Sequence, residues 1–329
     1  KSKNNLFNDL INLQIQEPLK ELELKDRIKS IEKISDDVSK KVRDQYEEYP
    51  YPRWRYTYSN SPFDFLNFFK NQIRPNRIKI SHKFLNPKVL IAGCGTGNHI
   101  CQAANYFNSN ILGVDLSLAS LAYAKRKVHE LGLKNVELLH ADILQLNNLN
   151  KKFDIIESVG VLHHMRDPFK GLKILSDLLE PHGLLLLGLY SEKARQEVIK
   201  AKEFARKNNF KNSFLEIRSF RESIFKEKND PLLQTIARGK DFYSTSSVKD
   251  LVFHAQEHRF SLSEIFKMLE DLNLEFLGFC DSRIKNQFFK QFPDDKKNIL
   301  QENWNQFEIS NPRAFVGMYK FWVRKKLTK

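Results

Sequence analysis

The amino-acid sequence predicts an α/β fold in which helices cover a mostly parallel β-sheet. From residue 88 onward, short apolar runs typical of buried strands alternate with stretches of helical periodicity. The first apolar run, residues 88–92, leads directly into the glycine-rich turn Gly93-Cys-Gly-Thr-Gly97 and then into a helix. A strand, a glycine turn and a helix in this order are typical of a nucleotide-cofactor site at the end of a buried strand.

The spacing of the three glycines separates two classes of cofactor. A dinucleotide site has the pattern G-x-G-x-x-G, but here the third glycine comes one residue early and Asn98 stands in its place. The pattern G-x-G-x-G resembles instead the first motif of class I S-adenosylmethionine methyltransferases, whose loop wraps the amino-acid end of the cofactor. A tight turn that binds no ligand is the structural alternative at this point.

Two acidic residues at strand ends strengthen the resemblance. The second predicted strand, residues 111–115, ends in Asp115, where a Rossmann-type fold places the carboxylate that binds the ribose hydroxyls. The third predicted strand ends in Asp142, which the resemblance assigns to the adenine amino group, with Ile143 against the ring. The predicted cofactor-binding residues are Gly93, Cys94, Gly95, Gly97, Asp115, Leu116, Asp142, Ile143 and Ser158.

Four further apolar runs complete the predicted sheet. They cover residues 153–160, 183–189, 274–280 and 315–323, and the resemblance implies that the last strand is antiparallel. The prediction is a seven-stranded Rossmann-like sheet of the class I methyltransferase type. A charged stretch, residues 191–260, is too long for an ordinary crossover and is predicted to be a cap inserted between strands 5 and 6.

The predicted domain organisation has two parts. Residues 1–45 form a helical N-terminal extension, in which Ser35 caps a helix that continues to Tyr46. Residues 46–329 form the methyltransferase domain, with its core at 88–190 and 261–329 and its cap at 191–260. The first residue is Lys1 rather than Met, so we expect that these residues come from a longer chain or follow a processed start.

The amino-acid composition indicates the size of the core, the cellular compartment and the absence of a membrane partner. Of its 329 residues 41% are apolar, which is enough for a sizeable core. Its three cysteines are too few and too scattered for a disulfide framework or a zinc site, so a reducing compartment, the cytoplasm, is predicted. The longest apolar run is well below the roughly 20 residues that cross a bilayer, so no membrane partner is predicted.

The net charge of +14 raises the question of a nucleic-acid partner. The Lys and Arg residues are spread thinly along the chain, without a basic stripe interleaved with aromatic residues. Abundant Lys, Asn, Ile and Phe beside few Gly are also what an AT-biased genome encodes. We therefore favour compositional drift over a selected polyanion site, and an RNA acceptor stays an alternative.

An aromatic segment precedes the first strand. Residues 45–54 hold three tyrosines, Trp54 and Arg53, and two prolines keep the backbone extended. The segment is either a lid packed by its own rings or a surface whose tyrosines face the sulfonium or the acceptor. It resembles the segment that precedes the methyltransferase domain in a bacterial family often fused to tetratricopeptide repeats, which implies such a region upstream.

A second unusual segment, residues 241–259, is rich in His, Glu and Arg. Helical spacing would place His254, Glu257 and His258 on one face, where they could bind the acceptor, form a hydrogen-bonded cluster or hold a metal. The pattern is not H-E-x-x-H, so no metal is predicted. We expect residues 46–54, 160–164 and 241–259 to meet beside the cofactor, and we predict His163, Tyr49 and His258 as catalytic residues.

The sequence thus predicts an S-adenosylmethionine-dependent methyltransferase. Its acceptor is not identified, and a small molecule or a protein is favoured. A non-catalytic module that binds the cofactor, or a scaffold, is the alternative from another functional class.

Overall fold

A computed structural model describes residues 4–57, 61–295 and 299–326. The outer limits of the predicted domains, Lys1 and Lys329, lie outside these residues. The strands are β1 (Lys29–Ser30), β2 (Lys88–Ala92), β3 (Asn110–Asp115), β4 (Val136–His140), β5 (Phe153–Val159), β6 (Leu179–Leu189), β7 (Leu274–Phe279) and β8 (Tyr319–Lys325).

Fourteen α-helices are described within the same ranges. They are α1 (Asn5–Ile11), α2 (Glu17–Lys25), α3 (Asp37–Glu48), α4 (Phe65–Ile73), α5 (Asn98–Ala103), α6 (Leu118–Glu130), α7 (Pro168–Leu178), α8 (Gln196–Lys207), α9 (Phe214–Lys226), α10 (Pro231–Ala237), α11 (Thr245–Val252), α12 (Leu262–Asp271), α13 (Ser282–Gln291) and α14 (Gln301–Ser310). A π-helical turn at Asn12–Gln16 joins α1 to α2. In the described part of the chain, no helix has both the length and the apolar character that a bilayer crossing requires.

The strands form one sheet in the order β1-β4-β3-β2-β5-β6-β8-β7. All neighbouring pairs are parallel except those of β8, which runs antiparallel to both β6 and β7. The predicted Rossmann-like fold with an antiparallel last strand is confirmed. The prediction of seven strands missed β1, a two-residue strand at the sheet edge that carries no sequence signal of its own.

The sheet is buried on both faces. Alternate residues of β2 point to opposite sides, so Val89 and Ile91 join one apolar cluster while Leu90 and Ala92 join the other. None of these four side chains is more than 1% exposed. Burial on two faces explains the uninterrupted apolar run that identified this strand in the sequence.

The segment between β6 and β7 begins with four short helices, α8 to α11, rather than one long charged stretch. They surround an apolar cluster of their own that includes Ile217, Phe220 and Phe242. A parallel β-bridge between Ser191 and Phe260 brings the two ends of this segment together. We call residues 191–260 the cap; its status as an insertion stays a prediction.

The N-terminal helices pack on α6 through ion pairs. Arg126 of α6 is fully buried, and its guanidinium contacts Glu17 at 2.9 Å, Glu21 at 2.8 Å and Glu130 at 2.6 Å. The predicted cap residue of α3 was wrong, because Asp36 rather than Ser35 accepts the hydrogen bond from a first-turn amide. Helix α3 continues to Glu48, across the predicted boundary at residue 45.

Candidate active site

A cavity of about 850 Å³ opens at the carboxyl ends of the central strands. Its wall combines the glycine loop, the ends of β3, β4 and β5, the aromatic segment and the cap. A parallel α/β sheet places its ligands at this edge, and the volume is that of a cofactor pocket. The three segments expected to meet here do so: residues from 46–54, from 160–164 and from 241–259 all line the cavity.

The glycine loop is fastened to the end of β3 by Asp115. The amide of Gly95 donates to Oδ2 of Asp115 at 2.7 Å, and the amide of Ser117 donates to Oδ1 at 2.9 Å. Burial raises the pKa of Asp115, while these amide hydrogen bonds oppose the rise. Asp115 and the adjacent Leu116 both line the cavity, so the carboxylate is available to ribose hydroxyls as well as to the loop.

Asp142 forms a second acidic position on the cavity wall. It caps the 3-10 helix Ile143–Leu149 by accepting a hydrogen bond from the amide of Leu144 at 3.0 Å. Its side chain is buried, and burial raises its pKa. With Ile143 also on the wall, this end of the cavity offers an acceptor atom and an apolar surface, as an adenine ring requires.

Two of the predicted cofactor residues do not line the cavity. Gly97 has a φ of +85°, and a Cβ at this position would lie 2.8 Å from the Cβ of Ala124, so the glycine permits close packing against α6. Ser158 is fully buried, and its hydroxyl has no hydrogen-bond partner among the described residues. Gly93, Cys94 and Gly95 do line the cavity.

The aromatic segment is attached to the glycine loop by hydrogen bonds. The indole N–H of Trp54 donates to the carbonyl of Thr96 at 3.1 Å, and the hydroxyl of Thr96 donates to the carbonyl of Pro52. The hydroxyl of Tyr123 in α6 holds the carbonyl of Trp54. These contacts place Tyr51 and Pro52 on the cavity wall.

Two tyrosine–aspartate pairs connect the aromatic segment to the cap. The hydroxyl of Tyr46 donates to Oδ1 of Asp250 at 2.6 Å, and that of Tyr51 lies 3.5 Å from Oδ1 of Asp241. Burial raises the pKa of Asp250 to about 6, although the hydrogen bond from Tyr46 opposes the rise. All four residues line the cavity. Within the described ranges, neither carboxylate forms an ion pair with a Lys or Arg.

The three predicted catalytic residues lie outside the cavity wall. His163 is fully buried, its ring stacks on Tyr190 at 3.7 Å, and burial holds its pKa well below the usual value. The amide of His258 donates to the carbonyl of His163 at 2.7 Å, and its ring contacts the Gln256 amide. Tyr49 lies beside the ammonium of Lys249, 4.2 Å from its ring centre. This placement does not support their catalytic role, which stays untested.

The helical face predicted for His254, Glu257 and His258 was wrong, because α11 ends at Val252 and irregular backbone follows. His254 stacks on His164 at 3.6 Å, and burial lowers the pKa of His254 to about 2. Glu257 forms an ion pair of 2.9 Å with Arg195. Of the three interpretations, these contacts fit the hydrogen-bonded cluster.

Sequence reasoning missed Asp250. It lies on α11 next to Lys249, and both side chains are buried although charged. Charged residues at buried positions of a helix are a signal of function, but the burial of this face becomes visible only in the folded chain.

Comparisons with known proteins bear on this geometry. Residues 85–229 match the family model of a methyltransferase domain. The matched residues form a methyltransferase domain, and the glycine loop, Asp115 and Asp142 within them follow the class I S-adenosylmethionine-dependent pattern. An uncharacterized protein of Synechococcus sp. is 26% identical over 275 residues, covering 75% of this chain and 61% of that protein. A probable (S)-tetrahydroprotoberberine N-methyltransferase 2 of Papaver bracteatum is 32% identical over 100 residues, or 30% of this chain and 28% of that protein.

A solved structure shows the same fold. PKMT2 from Rickettsia typhi, in complex with AdoHcy, has a TM-score of 0.60 and 19% sequence identity, covering 84% of this chain and 55% of that one. The matches cover 61% of the Synechococcus protein and 55% of the Rickettsia typhi chain, so this chain spans less than two thirds of either. The tetratricopeptide region upstream stays a prediction.

Proposed function

We propose that this chain transfers a methyl group from S-adenosylmethionine to the nitrogen of an amine that enters the cavity as an ammonium ion. The observation that carries the proposal is the pair of carboxylates, Asp241 and Asp250, on the cavity wall. Both are held by tyrosine hydroxyls rather than by a Lys or Arg of the described chain. Asp250 is buried and Asp241 is partly buried. A buried carboxylate without an ion-pair partner favours a ligand that supplies the positive charge.

The residues of the nucleotide end fit the cofactor. Asp115 would accept hydrogen bonds from the ribose, Asp142 would accept one from the adenine amino group, and Ile143 would pack on the ring. Gly93 and Gly95 line this end of the cavity, where a Cβ at Gly93 would collide with the Val161 side chain. When bound, S-adenosylmethionine supplies a methyl group that is already activated by its sulfonium, so the chain has mainly to orient the acceptor and manage its proton.

Asp250 is the group suited to take that proton. An ammonium ion has no free lone pair, so it must lose a proton before its nitrogen can attack the methyl carbon. The pKa of Asp250, raised by burial to about 6, makes it a better base than an exposed aspartate and leaves it ionised at pH 7. The proton passes to Asp250, the new N–C bond forms, and the S–C bond breaks with its electrons remaining on sulfur.

The tyrosines keep this site in place. Burial raises the pKa values of Tyr46, Tyr51 and Tyr190, so all three stay neutral and offer hydroxyl groups to the acceptor. The ring of Tyr190 is fixed by the guanidinium of Arg195, 3.6 Å from its centre. That guanidinium also pairs with Glu257 at 2.9 Å, a carboxylate that Lys202 and Arg259 contact as well.

The comparisons give limited support to the choice of acceptor. The Papaver bracteatum relative is named as an N-methyltransferase, but the match covers under a third of either chain. The Rickettsia typhi structure supports the fold alone at its level of identity. The proposal of an amine acceptor therefore depends on the two carboxylates of the cavity wall.

The test is a labelling experiment with methyl-labelled S-adenosylmethionine. Separate reactions would contain lysine-rich peptides, small primary amines, phenols or total tRNA, and mass spectrometry would locate the label. We expect label on amine nitrogen, reduced by Asp250→Asn and by Tyr46→Phe but not by Asp271→Asn, which changes an exposed carboxylate on α12. Label confined to oxygen or RNA would overturn the proposal.

A further inference from the structure

A second cluster of polar side chains lies at the amino ends of the strands, whereas the cavity lies at their carboxyl ends. Asp154 is the second residue of β5, and His182 lies in the first half of β6. His82 belongs to the loop between α4 and β2. The three residues are far apart in the sequence, so no spacing motif indicates them, and the proposed methyl transfer uses none of them.

The potential ligand atoms of this cluster converge. Nε2 of His182 lies 2.7 Å from Oδ1 of Asp154, and Nε2 of His82 lies 3.9 Å from the same oxygen. One ligand atom from each of the three residues lies within 4.8 Å of the others. The two imidazole rings stack with their centres 3.5 Å apart.

These distances are close to those of a tetrahedral zinc site. Zinc bonds of about 2.0 to 2.2 Å place neighbouring ligand atoms about 3.4 Å apart. The two nitrogen–oxygen distances, 2.7 and 3.9 Å, lie on either side of that value. Small side-chain rotations would open the shorter contact and close the longer one, without any movement of the strands.

The surroundings of the cluster favour a bound cation. The amide of Lys88 donates to Oδ2 of Asp154 at 2.8 Å, which orients the carboxylate so that Oδ1 faces the histidines. Phe84 packs edge-on against both rings, which limits their movement.

We propose that His82, Asp154 and His182 bind one divalent transition-metal ion, Zn²⁺, with water completing the tetrahedron. Nitrogen and oxygen ligands in this ratio are those that zinc accepts in proteins, and neither Mg²⁺ nor Ca²⁺ favours imidazole. The ion would connect the loop before β2 to the amino ends of β5 and β6. This site would lie at the amino ends of the strands, away from the methyl-transfer cavity at their carboxyl ends.

The test is metal binding by the full chain. Equilibrium dialysis of the metal-free protein against Zn²⁺, with elemental analysis, should give one tightly bound ion per chain. His82→Ala and His182→Ala should each weaken binding at least tenfold, whereas His129→Ala, an exposed histidine on α6, should not. Zn²⁺ should raise the thermal midpoint of the wild type, and Mg²⁺ should not.

Cobalt provides an independent measurement. Co²⁺ should bind with the visible absorption of a tetrahedral nitrogen and oxygen site, and Zn²⁺ should displace it. Circular dichroism would show whether each variant is folded. Zinc binding that is absent from the wild type, or equal in the wild type and in folded His82→Ala and His182→Ala, would overturn the proposal. Neither result bears on the methyl acceptor.

Discussion

The hydroxyl of Tyr46 donates a hydrogen bond of 2.6 Å to Oδ1 of Asp250, although 204 residues separate the two in the chain. Tyr46 is on α3 and Asp250 on α11, so the bond fixes the cap to α3. Two further contacts act between the same parts: Lys249 pairs with Glu48 at 2.6 Å, and the amide of Ala255 donates to Gln45 at 3.0 Å. The position of the proposed base thus depends on the packing of the cap against α3.

The rate of methyl transfer should depend on the ionisation of Asp250. Its carboxylate accepts a proton only when ionised, and its pKa is raised to about 6. We expect kcat/KM for an amine acceptor to fall about tenfold for each pH unit below 6. Asp250→Asn should lower the rate by roughly 100-fold or more and remove this inflection. An unchanged profile in Asp250→Asn would exclude Asp250 as the base.

The same residue should make the fold pH-dependent. The folded-state pKa of Asp250 is above its unfolded value of about 4, so its contribution to stability is present at low pH and lost as pH rises through 6. Ionised Asp250 thus costs roughly 3 kcal/mol at pH 8. Asp250→Asn should raise the thermal midpoint at pH 8 and change it much less at pH 4. Equal shifts at both pH values would contradict this account.

Cofactor affinity should depend on Asp115. Asp115→Ala removes the anchor of the Gly95 amide and, on the proposed binding mode, the acceptor of two ribose hydrogen bonds. Charge-assisted hydrogen bonds are worth about 1.5 to 3 kcal/mol each, so calorimetry should show at least a tenfold weaker binding of S-adenosylmethionine. Glu137→Ala, an exposed position on β4, is the control. NAD should give no heat with the wild type.

Binding to nucleic acid should be weak despite the net charge of +14. If the charge is compositional, tRNA and duplex DNA should bind without sequence preference, and the affinity should fall steeply as salt is raised. Fluorescence anisotropy across a salt series would measure this. A sequence-dependent, sub-micromolar complex at about 150 mM salt would instead favour an RNA acceptor.

The central sheet could be predicted because each of its longer strands has a local sequence pattern. Each buried strand is an apolar run, and Asp115 and Asp142 follow directly at strand ends. The acceptor site could not be predicted in the same way. Tyr46 and Asp250 meet only through the packing of the cap, and the predicted face of His254, Glu257 and His258 does not form because the helix ends first.

The cluster at the amino ends of β5 and β6 also could not be predicted, because its residues meet only in the folded chain. His82, Asp154 and His182 come from a loop and two strands, and only the parallel register of β5 and β6 brings the latter two together. Gly97 shows the converse case. The motif assigned it to the cofactor, but in the structure its lack of a side chain permits the close approach of α6.

The ion pairs around Arg126 determine whether the N-terminal helices can be removed without destabilising the rest of the protein. Two of its three carboxylate partners, Glu17 and Glu21, belong to α2. A truncated chain that begins near residue 46 would lack α2. The surface of α6 that α2 covers would then be exposed to solvent, and Arg126 would lose two of its three carboxylate partners. The first helices and the nucleotide half of the molecule should therefore melt together, in one cooperative transition rather than two.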